Sequence, residues 1–378
     1  HNELALLTDN AHELARILRG SVQNYLDLAF EYAGAGLYDD ASQVLKREEF
    51  SYPIAYYALG YFAAQMDDTA AQAWYQKGAA QPPDYCFPLR LEEQIILESI
   101  LQANPTDGRA AYYLGNLYYD KKQYDKAIAV WKAATENDPG FSIPWRNLGI
   151  AMYNKRADKQ RAKNCYEQAL AANSEDPRLL MEMDQLLQRL GASQSDRLAS
   201  LENQAELVEQ RDDLSITFAE LYSQTGQPEK ALESLSNHQF HAWEGGEGGA
   251  AGQYALAQVV KGLSALDAGK LEQALTHFLA AQKPPDNLGV GRGMSMYDVL
   301  AWFNTAETIT ALGDAENAKD YYQKVIDAEK RFSRWGGASA LTYYAAISLQ
   351  ALGQKSDADQ KLSALREFAQ QKLEAGSE

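Results

Sequence analysis

The chain has 378 residues, of which 46% are hydrophobic and 23% are charged, and its formal net charge is −17 at pH 7. Such acidity argues against a broad electrostatic attraction to nucleic acid or to anionic lipid, and no apolar stretch approaches the roughly 20 residues needed to cross a membrane. The scarcity of proline and of valine- and isoleucine-rich runs indicates an all-α protein. We therefore expect neither nucleic acid nor a membrane among its partners.

Small residues recur near the start of the chain at the spacing of helical hairpins. Only Gly or Ala lets two helix backbones approach closely where they cross, so each set predicts one hairpin. The first set is Ala29, Tyr32, Gly36, Ala41 and Leu45, and the second, with a shortened turn, is Gly60, Ala71 and Tyr75.

An insertion follows the second set. From Gly60 to the next equivalent glycine, Gly115, is 55 residues, which exceeds the 34-residue spacing of the later repeats by 21. The excess consists of the segment from Pro82 to Pro88 and an amphipathic stretch that Pro105 ends. We expect an inserted helix near 89–104 that caps a gap between repeats.

The clearest repeat lies in the middle of the chain, where Leu114-Gly115 and Leu148-Gly149 stand 34 residues apart. The first dipeptide is followed by Ala127 and Trp131, and the second by Ala162 and Tyr166. This spacing of small and aromatic residues resembles that of the tetratricopeptide repeat. One such hairpin cannot bury its own apolar face, so the period predicts a stacked array.

The pattern continues to the end of the chain. Two periods separate Gly149 from Ala219, so we predict a degenerate repeat from Pro177 to about Glu209, centred on Asp184 and with Gly191 at its turn. Four further sets follow: Ala219-Tyr222-Gly226-Ala231-Leu235, Gly262-Ala265-Gly269-Ala274-Phe278, Ala306-Gly313-Ala318-Tyr322 and Ala346-Leu349-Gly353-Ala358-Leu362.

Together the repeats predict an all-α fold, a right-handed superhelical solenoid of about nine helical hairpins built from tetratricopeptide repeats. We divide it into residues 1–209, which carry the inserted helix, and residues 210–378, which carry Gly-rich loops between repeats.

Those loops lengthen three consecutive junctions between the second helix of one repeat and the first helix of the next, at 237–252, 283–293 and 332–338. Neighbouring hairpins are about 10 Å apart, so we expect the three loops to meet, with Trp243, Arg292 and Trp335 close together. The candidate binding residues here are His241, Trp243, Glu244, Glu247, Asn287, Arg292 and Trp335. Three interpretations stay open: a brace in which both tryptophans fill gaps and Arg292 pairs with an acid, a recognition site, or a metal or catalytic centre.

Motifs for chemistry are weak. His238 and His241 with Glu244 and Glu247 match no zinc spacing. The segment 289–293 resembles part of a phosphate loop but lacks the final Gly-Lys-Ser/Thr, and the chain has no Gly-x-Ser-x-Gly. We expect no metal, no cofactor and no catalysis by this chain alone.

The first helices of such repeats line a concave groove, where Asn116 and Arg146 are further candidate binding residues. They make part of a clamp for the C-terminal carboxylate of a peptide. The lysines that such a clamp needs are absent from these helices, which disfavours binding of chaperone tails.

The two cysteines, Cys86 and Cys165, lie in different repeats, and we expect both to be reduced core residues. No signal peptide is seen, so we expect a cytoplasmic protein. The chain starts at His1 rather than Met, which leaves room for an upstream region.

Several strings resemble a family of large bacterial proteins. They are Pro83-Asp84-Tyr85-Cys86-Phe87-Pro88 with Arg90-Leu91-Glu92-Glu93, Trp145-Arg146-Asn147-Leu148-Gly149 with Asn154-Lys155-Arg156, Arg211-Asp212-Asp213-Leu214, Phe240-His241-Ala242-Trp243-Glu244-Gly245-Gly246-Glu247-Gly248, and Asn287-Leu288-Gly289 with Gly291. In that family a β-rich N-terminal region of unknown function, similar to galactose-mutarotase-like sandwiches, precedes a tetratricopeptide array. The chain departs from the pattern at Ala242, where Pro is expected, and at Val290, where Glu is expected.

The resemblance implies that this chain is the C-terminal part of such a protein, in a setting of carbohydrate metabolism. Our first hypothesis is a non-catalytic scaffold for a protein domain or peptide, including a mutarotase-like domain of the same polypeptide. The alternative is that the Gly-rich loops complete a carbohydrate-active site, with Trp243 as a stacking platform and Glu244 and Glu247 as carboxylates.

Overall fold

The computed structural model describes residues 11–241, 246–289, 294–336 and 338–376, with side chains for 14–241, 246–289, 294–332 and 338–376. Across these ranges the chain forms 21 α-helices and no strand, which confirms the all-α prediction. Among the helices of these ranges, none combines the length and the apolar character that a membrane span requires.

The chain divides into two compact units, one ending at Leu179 and the other beginning at Leu180. We call them unit one and unit two. The boundary that we placed between residues 209 and 210 from the sequence stays a prediction about domains.

In residues 11–179 unit one contains four hairpins and two additional helices. Its helices are α1 (Ala11–Leu18), α2 (Val22–Gly34), α3 (Tyr38–Leu45), α4 (Pro53–Gln65), α5 (Ala71–Ala79), α6 (Leu91–Ala103), α7 (Gly108–Asp120), α8 (Tyr124–Asn137), α9 (Ser142–Arg156) and α10 (Lys159–Ala172). The hairpins are α2–α3, α4–α5, α7–α8 and α9–α10. The helix α6 lies in the insertion.

Unit two begins within α11 (Pro177–Arg189). The remaining helices are α12 (Gln194–Glu202), α13 (Ala205–Val208), α14 (Asp212–Gln224), α15 (Pro228–Asn237), α16 (Gly249–Asp267), α17 (Leu271–Ala280), α18 (Met296–Ala311), α19 (Ala315–Gly336), α20 (Ala340–Ala351) and α21 (Lys355–Glu374). Five further hairpins bring the number in the described ranges to nine, as predicted. They are α11–α12, α14–α15, α16–α17, α18–α19 and α20–α21.

The two helices of a hairpin cross where the sequence places its small residues. A Cβ atom on the crossing glycine would lie closer than 3.0 Å to an aromatic ring of the second helix in four hairpins. The pairs are Gly60 with Tyr75, Gly115 with Trp131, Gly149 with Tyr166 and Gly262 with Phe278. Glycine therefore packs against an aromatic ring at these crossings in both units.

The turns between paired helices need a residue with a left-handed backbone. Six of the nine hairpins place glycine there, with φ between +70° and +92°: Gly36, Gly191, Gly226, Gly269, Gly313 and Gly353. The other three place Asp67, Lys122 and Ala157 there, with φ of +55°, +59° and +52°. A side chain in this region is strained, so the turns differ in local stability although they have the same geometry.

The degenerate repeat forms a hairpin with an unusual crossing. Asp184 and Arg197 stand 35 residues after Gly149 and Ala162, the small pair of the preceding hairpin. Their side chains are only 5% and 8% exposed and form a bidentate ion pair with N···O distances of 2.9 and 2.6 Å. A buried charge pair here occupies the positions that small residues fill elsewhere.

Residues 332–336 of the third lengthened junction are helical, which corrects the prediction of a loop for that part of 332–338. The helix α19 has 22 residues and runs through Phe332 to Gly336. No proline or glycine interrupts it before Gly336, so the extra residues extend the second helix of the hairpin.

Candidate functional site

The insertion is fixed to the first helices of unit one. The Arg90 guanidinium donates to Asp27 and Gln23 on α2, both at 2.7 Å, and to Glu93 on α6 at 3.2 Å. The hydroxyl of Tyr118 on α7 donates to Glu98. The helix α6 also packs against α4 and α7. The sequence predicted the insertion, and the structure shows which face of the unit holds it.

Apolar side chains of the insertion are exposed. Cys86 is fully buried and Pro88 is buried, whereas their neighbours point to solvent. The exposed set, which we call the apolar strip, comprises Tyr85 (90% exposed), Phe87 (66%), Leu89 (53%), Leu91 (65%) and Ile95 (45%). These residues were not predicted as a binding surface, because the sequence of the insertion does not show which of its apolar side chains face outward.

Two of the predicted binding residues, Asn116 and Arg146, come together on the first helices of adjacent hairpins. The Asn116 side-chain oxygen Oδ1 accepts hydrogen bonds from Asn147 Nδ2 at 3.0 Å and from Trp131 Nε1 at 3.2 Å. Arg146 Nη1 donates to Asn147 Oδ1 at 3.3 Å. We call Tyr112, Asn116, Arg146 and Asn147 the polar ladder.

The polar ladder adjoins the insertion. Burial raises the pKa of the Tyr112 hydroxyl, and the hydrogen bond with Asn116 opposes that rise. Arg146 lowers the same pKa by its charge and Asp84 raises it. The charges of Arg146 and of Asp84 in the insertion thus act in opposite directions on this hydroxyl, and the insertion helix α6 packs against α7, which carries Tyr112 and Asn116.

In unit two the structure brings His241 and Asn287 together with Asp212. The Asp212 carboxylate accepts a hydrogen bond from His241 N at 2.7 Å and shares a second hydrogen bond with His238 Nε2, also at 2.7 Å. Asn287 Nδ2 donates to the carbonyl oxygens of Leu235 and His238, each at 2.8 Å, and the Asn287 carbonyl accepts from Phe240 N at 2.9 Å. The start of the first Gly-rich loop is therefore tied to the second.

Electrostatics favour an ionised Asp212. Burial alone would raise the pKa of this carboxyl group, but the hydrogen bonds from the His238 side chain and the His241 backbone outweigh it and hold the pKa below its usual value.

The structure describes only part of the remaining predicted binding residues. Trp243, Glu244 and Arg292 lie outside the described residues, and so does the side chain of Trp335, whose backbone is in α19. Glu247 is exposed. The composite surface of Trp243, Arg292 and Trp335 therefore stays a prediction.

A cleft of about 310 Å³ lies beside α14 and α15 in unit two. Its lining includes Phe218, Tyr222, Glu209, Glu233, Lys230 and His238. Within the described ranges, no group of three His, Cys, Asp or Glu side chains could hold a metal ion.

Two parts of the chain match family models. Residues 115–155 match a model described as a TPR repeat, and residues 300–329 match one described as the tetratricopeptide repeat.

Solved structures with similar folds have low identity to this chain. YrrB, described as a TPR protein with an unusual peptide-binding site, is 20% identical over 51% of this chain and 94% of its own, with a TM-score of 0.36. Naa15/Naa10 bound to HypK-THB is 17% identical over 74% of this chain and 39% of that chain, with a TM-score of 0.42. PilF of Pseudomonas aeruginosa is 18% identical over 57% and 89%, with a TM-score of 0.32.

The two family-model matches fall in different units, and each coincides with helices that form hairpins with the predicted crossings. The chain therefore carries tetratricopeptide repeats in both units, and its fold is a tetratricopeptide-repeat solenoid.

Proposed function

We propose that this chain is a non-catalytic protein-interaction scaffold whose polar ladder contacts the partner. The observation that carries the proposal is the joining of Asn116 and Arg146 through Asn147 on adjacent first helices. An arginine held in place by a neighbouring amide loses less side-chain entropy when it binds a carboxylate or a backbone carbonyl of a partner.

The proposed partner is a galactose-mutarotase-like β-sandwich domain, encoded in the same polypeptide or in a neighbouring protein. The support is the resemblance of the strings around Pro83, Trp145 and Trp243 to bacterial proteins that carry such a domain. This partner would place the scaffold in carbohydrate metabolism. The two unpaired cysteines, Cys86 and Cys165, support a proposed cytoplasmic location.

The test is a calorimetric titration of this chain with a purified mutarotase-like domain from a protein that carries the same strings. Asn116→Ala with Arg146→Ala should weaken binding at least tenfold, while circular dichroism at the temperature of the titration shows that the variant is folded. The matched control is Asn164→Ala with Arg161→Ala, which removes the same residue types from exposed positions on α10. Equal loss in both double variants, or no binding by the wild-type chain, would refute the ladder as the binding surface.

The second candidate function is an accessory carbohydrate site near the first Gly-rich loop. The cleft beside α14 and α15 favours it, because Glu233, Lys230 and His238 offer polar groups beside the largely buried rings of Phe218 and Tyr222. Its proposed contacts also include His241, Trp243, Glu244, Glu247, Asn287, Arg292 and Trp335.

A panel of glycosides tests this candidate. Turnover that Glu244→Gln or Glu247→Gln abolishes would replace the scaffold proposal by a catalytic one. Sugar binding that Glu233→Ala abolishes, without turnover, would support the accessory site alone.

A further inference from the structure

The exposed apolar residues of the chain are concentrated in the insertion. Fourteen large hydrophobic side chains are exposed in the described ranges, and the five members of the apolar strip lie within 11 consecutive residues. Single exposed apolar residues are ordinary on a protein surface, whereas a contiguous patch marks an interaction site.

The strip is held rigidly. Cys86 is fully buried beneath it, and Arg90, between Leu89 and Leu91, is bonded to Asp27, Gln23 and Glu93. A partner would therefore meet a preformed surface and would not have to order it on binding.

The length of the strip suits a helix. The distance from Tyr85 to Leu91 is at most about 21 Å along the chain, and one turn of α6 from Leu91 to Ile95 adds about 6 Å. A strip of up to about 27 Å matches the apolar face of a helix of up to about 18 residues.

The charges around the strip are acidic. The insertion, residues 82–104, contains four carboxylates, Asp84, Glu92, Glu93 and Glu98, and one cation, Arg90. Arg90 is engaged with Asp27 and Glu93, while Asp84 and Glu92 are exposed within the strip. A second copy of this chain would bring these acids against themselves in a symmetric contact. A cationic partner would meet them favourably.

We propose that the apolar strip is the docking site of a basic amphipathic helix of a partner protein, with apolar residues on one face and Lys or Arg on its flanks. This inference rests on the proposed scaffold function, but it assigns a different surface and a different chemistry from the polar ladder.

The experiment measures fluorescence anisotropy with a labelled 18-residue peptide of Leu and Lys, with Leu at i, i+3, i+4 and i+7. The wild-type chain should bind it, and should bind a matched Leu/Glu peptide at least tenfold more weakly. Phe87→Ser with Leu91→Gln should weaken binding of the Leu/Lys peptide at least tenfold. Asp84→Asn with Glu92→Gln should weaken it at least threefold and reduce its dependence on salt.

Matched controls lie elsewhere on the chain. Leu373→Gln changes a leucine that is 83% exposed, and Glu272→Gln with Asp359→Asn changes two exposed acids. These variants should bind as the wild type does. Circular dichroism and melting temperature should be unchanged in all variants, because every altered side chain is exposed.

Equal binding of the two peptides, or unchanged binding by the strip variants, would overturn the proposal. Sedimentation of the wild type as a dimer that Phe87→Ser with Leu91→Gln converts to a monomer would overturn it in favour of a second copy. If the chain binds the Leu/Lys peptide but not the mutarotase-like domain, only the ladder proposal is refuted. If it binds the domain but not the peptide, only the strip proposal is refuted.

Discussion

At the scale of residues, unit one buries two tyrosines with different hydrogen bonding. Tyr57 and Tyr113 are both fully buried, with ring centroids 6.2 Å apart. The Tyr57 hydroxyl donates to the Asp107 carboxylate at 3.1 Å, and that carboxylate also caps α7 by accepting from Ala110 N. The Tyr113 hydroxyl has no hydrogen-bond partner in the described part of the chain. The Tyr57 hydroxyl therefore stabilises the fold through a hydrogen bond, whereas the Tyr113 hydroxyl is buried without one.

The first prediction compares these tyrosines. Tyr57→Phe should lower the free energy of unfolding by about 1.5–3 kcal/mol, since it removes a hydrogen bond to a buried carboxylate. Tyr113→Phe should be neutral or stabilising, because it removes a buried hydroxyl without a partner. Urea unfolding at constant m-value measures both. A larger loss for Tyr113→Phe than for Tyr57→Phe would contradict the hydrogen bonding described above.

The second prediction concerns Asp212. Its pKa is lower in the folded protein than its ordinary value of 3.8, so its contribution to stability is present above that value and is lost as the pH falls toward the folded pKa. The destabilisation caused by Asp212→Asn should be full at neutral pH and should vanish in strong acid. Chemical unfolding at a series of pH values measures it, with exposed Asp267→Asn as the control. A difference that persists unchanged in strong acid would argue against the ionised form.

At the scale of elements, hairpins with the same connectivity are closed by different chemistry. In the α7–α8 hairpin, Gly115 leaves room for the Trp131 ring, and Trp131 Nε1 donates to the Tyr112 carbonyl at 3.2 Å. In the α11–α12 hairpin, Asp184 and Arg197 form a buried ion pair at the equivalent place. A packed crossing is therefore destabilised by added volume, whereas a charged crossing is destabilised by loss of one charge.

The third prediction tests the packed crossing. Gly115→Ala should cost about 1–3 kcal/mol, because the new Cβ would overlap the Trp131 ring. Gly34→Ala is the matched control, since a Cβ there would meet no atom within 4 Å. Thermal unfolding followed by circular dichroism measures both. Equal melting temperatures for wild type and Gly115→Ala would contradict the assigned crossing.

The fourth prediction tests the charged crossing. Arg197→Met should cost about 3–5 kcal/mol, because it leaves the Asp184 carboxylate buried without its cation. The double variant Asp184→Leu with Arg197→Met should recover most or all of the loss, since an apolar pair avoids the cost of desolvating charges. A double-mutant cycle on urea unfolding gives the coupling, and additive effects would show that the two residues do not interact.

At the scale of the whole molecule, stability should be distributed between the two compact units. In repeat proteins each hairpin contacts its neighbours, so stability is a sum of local and nearest-neighbour contributions rather than one global quantity. The units divide at Leu179 and Leu180, within α11.

The fifth prediction follows from this division. Calorimetry should resolve two transitions, of which Gly115→Ala lowers one and Arg197→Met lowers the other, because the residues lie in different units. The control is Gly34→Ala, which should leave both transitions in place. A single transition that both variants lower equally would show that the chain unfolds as one cooperative body.

The sequence by itself determined the hairpins and their crossings. The small residues at Gly60, Gly115, Gly149 and Gly262 recur because two helix backbones can approach only where side chains are small, and this local requirement is visible as a period. The degenerate repeat was also predictable, since Asp184 and Gly191 keep the register even without a small pair.

Only the tertiary structure decided which residues outside the repeats are buried, exposed or hydrogen-bonded to distant segments. The apolar run of the insertion alternates between buried Cys86 and exposed Phe87, which depends on contacts of Arg90 with α2, more than 60 residues earlier. The tie between Asn287 and the first Gly-rich loop spans about 50 residues. Such contacts form between segments that no local pattern links, so burial, exposure and the candidate binding surfaces emerge only once the hairpins have packed.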